Sequence, residues 1–180
     1  VFWPSGNELL LSALGHNGNK EWSKNYGPIN ARHGICVSPI LYGDTIIFSQ
    51  EQYEKNTTLK SRWLAVDHKN GHIRWERPRQ NRSPSYVTPC LYTDPSGQNQ
   101  LIFTSQAHGM TAVSPANGHI IWELSDIFKD RTIGSPVIAD NCIMASCGSG
   151  GGGKALVFVQ AGSATTKPKL LHSVKNKLSP

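Results

Sequence analysis

Apolar positions in this chain come in short runs, each closed by turn-forming residues. Thr45-Ile46-Ile47-Phe48, Leu101-Ile102-Phe103-Thr104 and Cys142-Ile143-Met144-Ala145 are continuous rather than alternating. Runs of this length, bounded by turns, predict strands covered on both faces. Asp44, Asp94-Pro95-Ser96-Gly97 and Asp140-Asn141 supply the turns before them. Gly, Pro or Asn-Gly interrupts almost every window that could carry a long helix.

The pattern repeats. Leu11-Ser12-Ala13-Leu14-Gly15-His16-Asn17-Gly18-Asn19-Lys20-Glu21-Trp22 is echoed by Ala65 to Trp75 and by Ala112 to Trp122. In each, an Ala precedes Asn-Gly, and a Trp follows the Gly by four positions. A second signature lies between these: Val37-Ser38-Pro39, Val87-Thr88-Pro89 and Gly134-Ser135-Pro136. Trp22 to Trp75 spans 53 residues and Trp75 to Trp122 spans 47, while the Pro-to-Pro steps are 50 and 47. Asn-Gly between β-prone runs predicts hairpins at Asn17-Gly18, Asn70-Gly71 and Asn117-Gly118, with type I′ turns in which both residues take positive φ.

Four strands per repeat at this period fit an all-β chain, a β-propeller segment of four-stranded antiparallel blades. The units are expected at about 9–34, 35–84, 85–131 and 132–177. The repeated Trp would fill the gap against the next blade. After Lys154-Ala155-Leu156-Val157-Phe158-Val159 the Asn-Gly is replaced by Gly162 to Pro168 and no Trp follows. Leu170-Leu171-His172-Ser173-Val174 then reads as the returning strand of a degenerate hairpin. The first unit is expected to enter at its third strand, near Leu9, and Ser179-Pro180 to open another. Three to four blades make an incomplete ring, so the remaining blades are expected in a longer chain.

Ala65-Val66-Asp67, Asn70-Gly71, Ile73 and Trp75, followed by Thr88-Pro89, resemble the repeats of pyrroloquinoline-quinone-like propellers. That family includes quinoprotein alcohol dehydrogenases and BamB-type outer-membrane assembly lipoproteins. The resemblance runs from about Leu9 to about Lys177. It implies the fold and leaves function open, since the same repeat serves enzymes and scaffolds. The family's enzymes hold their quinone on the propeller axis with a calcium bound by Glu, Asn and Asp, an adjacent Cys-Cys disulfide and a Trp floor. The four cysteines here, Cys36, Cys90, Cys142 and Cys147, are never neighbours. No residue is therefore carried over as catalytic, cofactor-binding or metal-ligating, and no cofactor is expected.

Charge changes this picture little. The net charge is +6, and the densest groups are Arg74, Arg77, Arg79 and Arg82, and Lys167, Lys169, Lys175 and Lys177. Neither group has the interleaved aromatics of a single-strand binder, so both read as solvated loops and no nucleic-acid partner is expected. No apolar run approaches the roughly 18 residues of a membrane span. No pair of cysteines has metal-ligand spacing, and buried thiols or a Cys142–Cys147 disulfide are the readings.

Each chemical motif has a structural reading beside it. Gly148 to Lys154 matches a phosphate-loop pattern, but Ala155 stands where a magnesium-binding hydroxyl belongs, and a strand follows. His68 and His72, with Asp67, flank a turn, and His119 repeats His72, which favours turn chemistry over a metal. His16, His33, His108 and His172 have no partners at recognisable spacing. Ser38, Thr88 and Ser135 recur before Pro and read as strand starts rather than nucleophiles. Asn56-Thr57-Thr58 and Asn81-Arg82-Ser83 satisfy the glycosylation rule. The functional candidate is the long connection 49–62, against only Ser105 to Gly109 in the next unit. The reading is a non-catalytic propeller scaffold, periplasmic or extracellular, presenting this loop to a protein or polysaccharide. Its rivals are a fragment of a quinone-dependent dehydrogenase with ligands outside this chain, and a hydrolase or lyase on the loop face.

Overall fold

The computed structural model describes residues 2–5, 7–35, 37–55, 57–149 and 152–175. Within them the chain forms four antiparallel sheets in sequence order. The first is β1 (Phe2–Ser5), β2 (Glu8–Leu14) and β3 (Lys20–Pro28). The second is β4 (Ile40–Tyr42), β5 (Thr45–Gln50), β6 (Ser61–Asp67) and β7 (Ile73–Arg79). The third is β8 (Cys90–Thr93), β9 (Asn99–Ser105), β10 (Gly109–Val113) and β11 (Ile120–Leu124). The fourth is β12 (Val137–Ala139), β13 (Cys142–Ser149), β14 (Gly152–Gln160) and β15 (Lys169–Lys175). The strand β1 lies upstream of the entry expected near Leu9. No helix among the described residues is long and apolar enough to cross a membrane.

Alternation of side chains along the strands gives each inner sheet two buried faces. Phe48, Leu64 and Val66 pack against Leu9, Leu11 and Tyr26 of the first sheet. Their neighbours Ile47, Trp63 and Ala65 point the other way, onto Leu101, Phe103 and Val113 of the third. Ile102, Met110 and Ala112 in turn meet Ile143, Ala145, Val157 and Val159 of the fourth. The strands β5 and β9 are accordingly buried on both faces, as their continuous apolar runs imply. In β13 burial alternates instead, because its Met144 face meets no further sheet among the described residues.

The three Asn-Gly hairpins stand where expected, but they are not type I′ turns. The glycines have positive φ, +81° at Gly18, +71° at Gly71 and +68° at Gly118, whereas no Asn does. The loops are longer than two residues, so a right-handed turn ends in one left-handed glycine. Gly71 N–H closes onto Asp67 O at 2.8 Å, and Gly118 N–H onto Ser114 O at 2.8 Å. The Asn serves through its side chain. Asn17, Asn70 and Asn117 Oδ1 accept the N–H two residues on, at 3.0, 2.9 and 3.0 Å.

The Ala and the Trp of each repeat face one another. Ala13 pairs with Trp22, Ala65 with Trp75 and Ala112 with Trp122, each beside a shift of register. A small residue and a bulge leave the indole free to lean off its own sheet. Trp22 Nε1 donates to His68 O at 2.9 Å in the second sheet, and Trp75 Nε1 donates to Pro115 O at 3.0 Å in the third. Their rings lie over Gly71 and Gly118, where a Cβ would come within 2.7 and 2.6 Å of ring carbons. The same glycine carbonyls accept Tyr26 Oη at 2.7 Å and Arg77 Nε at 2.9 Å. Each sheet is thus bolted to the next hairpin. Trp75→Phe removes the donor and part of the indole's contact over Gly118, so it should cost at least about 1 kcal/mol in a thermal melt. An unchanged melting midpoint would show that the bond to Pro115 adds nothing.

The third junction differs. Trp122 Nε1 donates to Gln100 Oε1 at 2.8 Å, and Gln100 Nε2 reaches Gly162 O at 3.2 Å. A buried glutamine therefore relays the contact that an indole makes directly at the other two junctions.

Candidate functional site

Antiparallel alternation gives the four sheets two loop-bearing ends. One end carries the hairpins β2–β3, β6–β7, β10–β11 and β14–β15 with the turns β4–β5, β8–β9 and β12–β13. The other carries the sheet-to-sheet connections and the β5–β6, β9–β10 and β13–β14 links. The long connection lies at this second, connection end. Its outer members Ser49, Gln50, Ser61 and Arg62 belong to β5 and β6, leaving 51–60 as the loop proper, with Asn56 outside the described residues.

This loop is fastened at both flanks. Asn30, from the connection leaving the first sheet, donates its N–H to Gln52 Oε1 at 2.6 Å and its Nδ2 to Tyr53 O and Lys55 O at 3.2 and 3.0 Å. Tyr53 N–H returns a bond to Asn30 O at 2.6 Å. On the other flank Asn81 Nδ2 donates to Leu59 O at 2.6 Å, while its Oδ1 accepts Ser61 N–H and Oγ at 2.7 and 2.9 Å. Glu51 accepts Ser85 N–H and Oγ, both at 2.6 Å. Burial pushes the Glu51 carboxyl above the usual range, against the pull of those two donors. The insertion is a shaped ledge rather than a free loop.

Beside the ledge the connections converge on a cleft of about 210 Å³ lined by Arg32, Tyr53, Tyr86 and Arg131 among others. The Arg32 guanidinium lies 5.6 Å from the Tyr53 ring centre, and that of Arg131 lies 5.6 Å from Tyr86. Neither arginine makes a salt bridge among the described residues. Two cations on aromatic faces, contributed by different sheet connections, outweigh the flanking Asp130 and form a surface suited to aromatic or acidic groups.

A second charged group holds the second and third sheets together. Arg79 lies 4.1 Å from the Trp63 ring centre, and Trp63 stacks on Phe103 at 4.3 Å. Arg79 also pairs with Glu123 at 2.5 Å. Glu123 further accepts Thr111 Oγ1 at 2.9 Å and faces His108 Nδ1 at 3.3 Å. Burial alone would raise the Glu123 carboxyl, but His108, Arg79 and Thr111 outweigh it and bring it down to about 2. Of the arginine run expected in solvated loops, Arg77 and Arg79 are interfacial, whereas Arg74 and Arg82 are exposed. Arg74, Arg77 and Arg79 lie on β7, where Arg74 pairs with Asp67 at 2.6 Å, and Arg82 lies beyond the strand and pairs with Glu54 at 3.2 Å.

The other sequence candidates take structural places. His68 caps Asp44 O through Nδ1 at 2.9 Å, and Asp67 holds the Lys69 N–H at 2.8 Å, both within the turn. Ser135 Oγ accepts Thr88 N–H at 3.0 Å, tying two sheet starts together. Gly148 to Lys154 spans the tight link closed by Ser149 opposite Gly152, and a strand rather than a helix follows; Gly150 and Gly151 lie outside the described residues. Asn81 is spent on the ledge, so its glycosylation triplet is occupied. Cys90, Cys142 and Cys147 are free thiols, and burial pushes Cys90 up to about 12. Cys142 and Cys147 share one strand, roughly 16 Å apart at its rise per residue, so the disulfide reading fails. Cys36, Lys177 and Ser179-Pro180 lie outside the described residues.

No protein-family model matches the chain, and no curated protein does. Solved structures do. BamB from Moraxella catarrhalis superposes with a TM-score of 0.51 at 13% identity, over 97% of this chain and 47% of that one. The quinohemoprotein alcohol dehydrogenase ADHIIG from Pseudomonas putida HK5 superposes with a TM-score of 0.53 at 13% identity, over 94% of this chain and 33% of that one. The chain thus spans about half the length of the first and a third of the second. Together with the four sheets docked in sequence order, these likenesses establish the fold as a run of consecutive β-propeller blades.

Proposed function

We propose that this run of blades is a non-catalytic scaffold whose connection end binds a partner protein. The observation that carries this reading is the pair of stacked arginines, Arg32 on Tyr53 and Arg131 on Tyr86, lining one cleft beside a fastened ledge. Arg and Tyr are the residues that anchor interfaces, and a pre-ordered loop loses little entropy on binding. An acidic or aromatic segment of the partner suits the two guanidiniums. The resemblance to quinoprotein-like propellers favours the periplasm or the cell exterior for such a scaffold.

Photo-crosslinking from the host cell tests it. A photoreactive residue at Thr58 should yield a discrete protein adduct, one at Asn117 on the opposite end should yield none, and Arg32→Glu with Arg131→Glu should abolish the first. Adducts from both ends alike would overturn the reading. So would dye-linked alcohol oxidation by the chain supplied with pyrroloquinoline quinone and calcium.

A further inference from the structure

Two departures from the repeat fall on one cleft at the hairpin end, away from the ledge. Between β8 and β9 the turn has five residues, 94–98, where β4–β5 and β12–β13 have two. Between β14 and β15 the hairpin loop has eight residues, 161–168, against five or six in the others. These two longer loops face each other across a cleft of about 520 Å³, within the range of small-molecule sites. It stands at the junction where the indole of Trp122 is drawn back behind Gln100. At the other two junctions the ring covers the hairpin glycine.

The walls define the ligand. Asp94 is the lone ionisable side chain with a carboxylate or cationic head among the lining residues, and its carboxylate is spent. Oδ1 accepts Ser96 N–H, Ser96 Oγ and Gln98 N–H at 2.9, 2.6 and 3.0 Å, and Oδ2 accepts Gln100 Nε2 at 3.2 Å. An anionic ligand therefore meets no counter-ion, and the Asp94 charge disfavours it further. Gln98 and Gln160 are exposed and make no side-chain hydrogen bond among the described residues. They offer amides that both donate and accept, beside the Thr165 hydroxyl. Pro95, Ala161 and Ala164 add apolar patches between them. Alternating C–H surface and neutral hydrogen-bonding groups match the two faces of a sugar ring.

We propose that this cleft binds a neutral saccharide of one or two rings. The site is independent of the connection end and of the partner proposed there.

The test is an NMR titration of the chain with maltose, cellobiose and chitobiose, each to about 10 mM. At least one should saturate with a dissociation constant of about 1 mM or tighter, moving the amides of Gln98, Gln160 and Thr165. Ala164→Trp, at an exposed position, should fill the cleft, and Gln160→Ala should remove an amide. Each should weaken binding about tenfold or more with the melting midpoint unchanged. A sulfated disaccharide should not bind. Absence of saturable shifts with all three sugars would overturn the proposal. So would shifts confined to the connection end, binding that survives both substitutions, or equal binding of the sulfated sugar. None of these results touches the crosslinking outcome at the opposite end.

Discussion

Gly118→Ala should lower the unfolding free energy by about 3 kcal/mol or more, measured by urea or thermal unfolding. Two costs combine there. The first is backbone, since φ is +68° and a side chain resists that region by about 1 kcal/mol. The second is spatial. A Cβ would lie 2.6 Å from a ring carbon of Trp75, and the indole cannot retreat without losing its bond to Pro115 O. Gly18 separates the two costs. It holds the same place in the first hairpin with φ of +81°, but nothing lies within 4 Å of its Cβ position. Gly18→Ala should therefore cost only about 1 kcal/mol. Equal losses at the two sites would mean that the indole does not clamp the hairpin.

Arg79→Met should cost about 3 kcal/mol at neutral pH. It removes a guanidinium that is only 8% exposed, strips Glu123 of its ion pair and uncovers the face of Trp63. The pH dependence carries a distinct signature. Glu123 has its carboxyl pulled from 4.5 down to about 2 in the folded chain. A depressed carboxyl stabilises fully above its unfolded value, and that stabilisation is lost as pH falls through the folded one. Wild-type stability should thus fall between pH 4.5 and about 2, and Arg79→Met should make this limb shallower, with His108 and Thr111 still holding part of the shift. Glu51 works in the opposite sense. Burial raises its carboxyl, so its contribution is present below its unfolded value and lost as pH rises through the raised one. Comparing Arg79→Met in wild-type and Glu123→Gln backgrounds cancels Glu51. If the two backgrounds lose the same stability, Arg79 acts through Trp63 and Thr111 rather than through Glu123.

Much of the fold was legible because the repeat writes the same physical demand three times. The Asn needs an oxygen for the N–H two residues on, the Gly needs left-handed backbone, and the Trp needs a small residue opposite it. Their positions can be read from spacing, whereas the Asn side-chain bond and the pairing of Trp with Ala emerge only in the structure. The turn type could not be read either. Asn-Gly fits a two-residue hairpin equally well, and only pairing across the strands, such as Val66 with Ile73, sets the loop length. The arginines of β7 misled for a related reason. A cluster of like charges suggests solvent, yet Arg79 and Glu123 are 44 positions apart and meet only once two sheets dock.

The connection 49–62 stood out by length, and it lies at the connection end of the sheets. Its partners were invisible beforehand. Asn30, Asn81 and Ser85 are ordinary polar residues whose value comes from where two separate sheet-to-sheet connections run. The cleft at the other end was half visible, since the missing Asn-Gly after Val159 marks one wall. The five-residue turn 94–98 forming the other wall gains meaning only when the third and fourth sheets are seen side by side.

Two of the three repeat indoles, Trp22 and Trp75, bond forward along the chain, whereas Trp122 bonds back to Gln100. Trp22 reaches a carbonyl 46 residues ahead and Trp75 one that is 40 ahead. On a ribosome making roughly 5–20 residues per second, each ring waits about 2–9 s for its partner to emerge. During that interval the newest sheet carries a large apolar ring with nothing to cover it. Synthesis from the N-terminus thus completes one junction at a time, in order, and leaves at most one such ring uncovered. A circular permutant opening between Trp75 and Pro115 would reverse the order of that contact. It would make the hairpin first and leave it open until the end of translation.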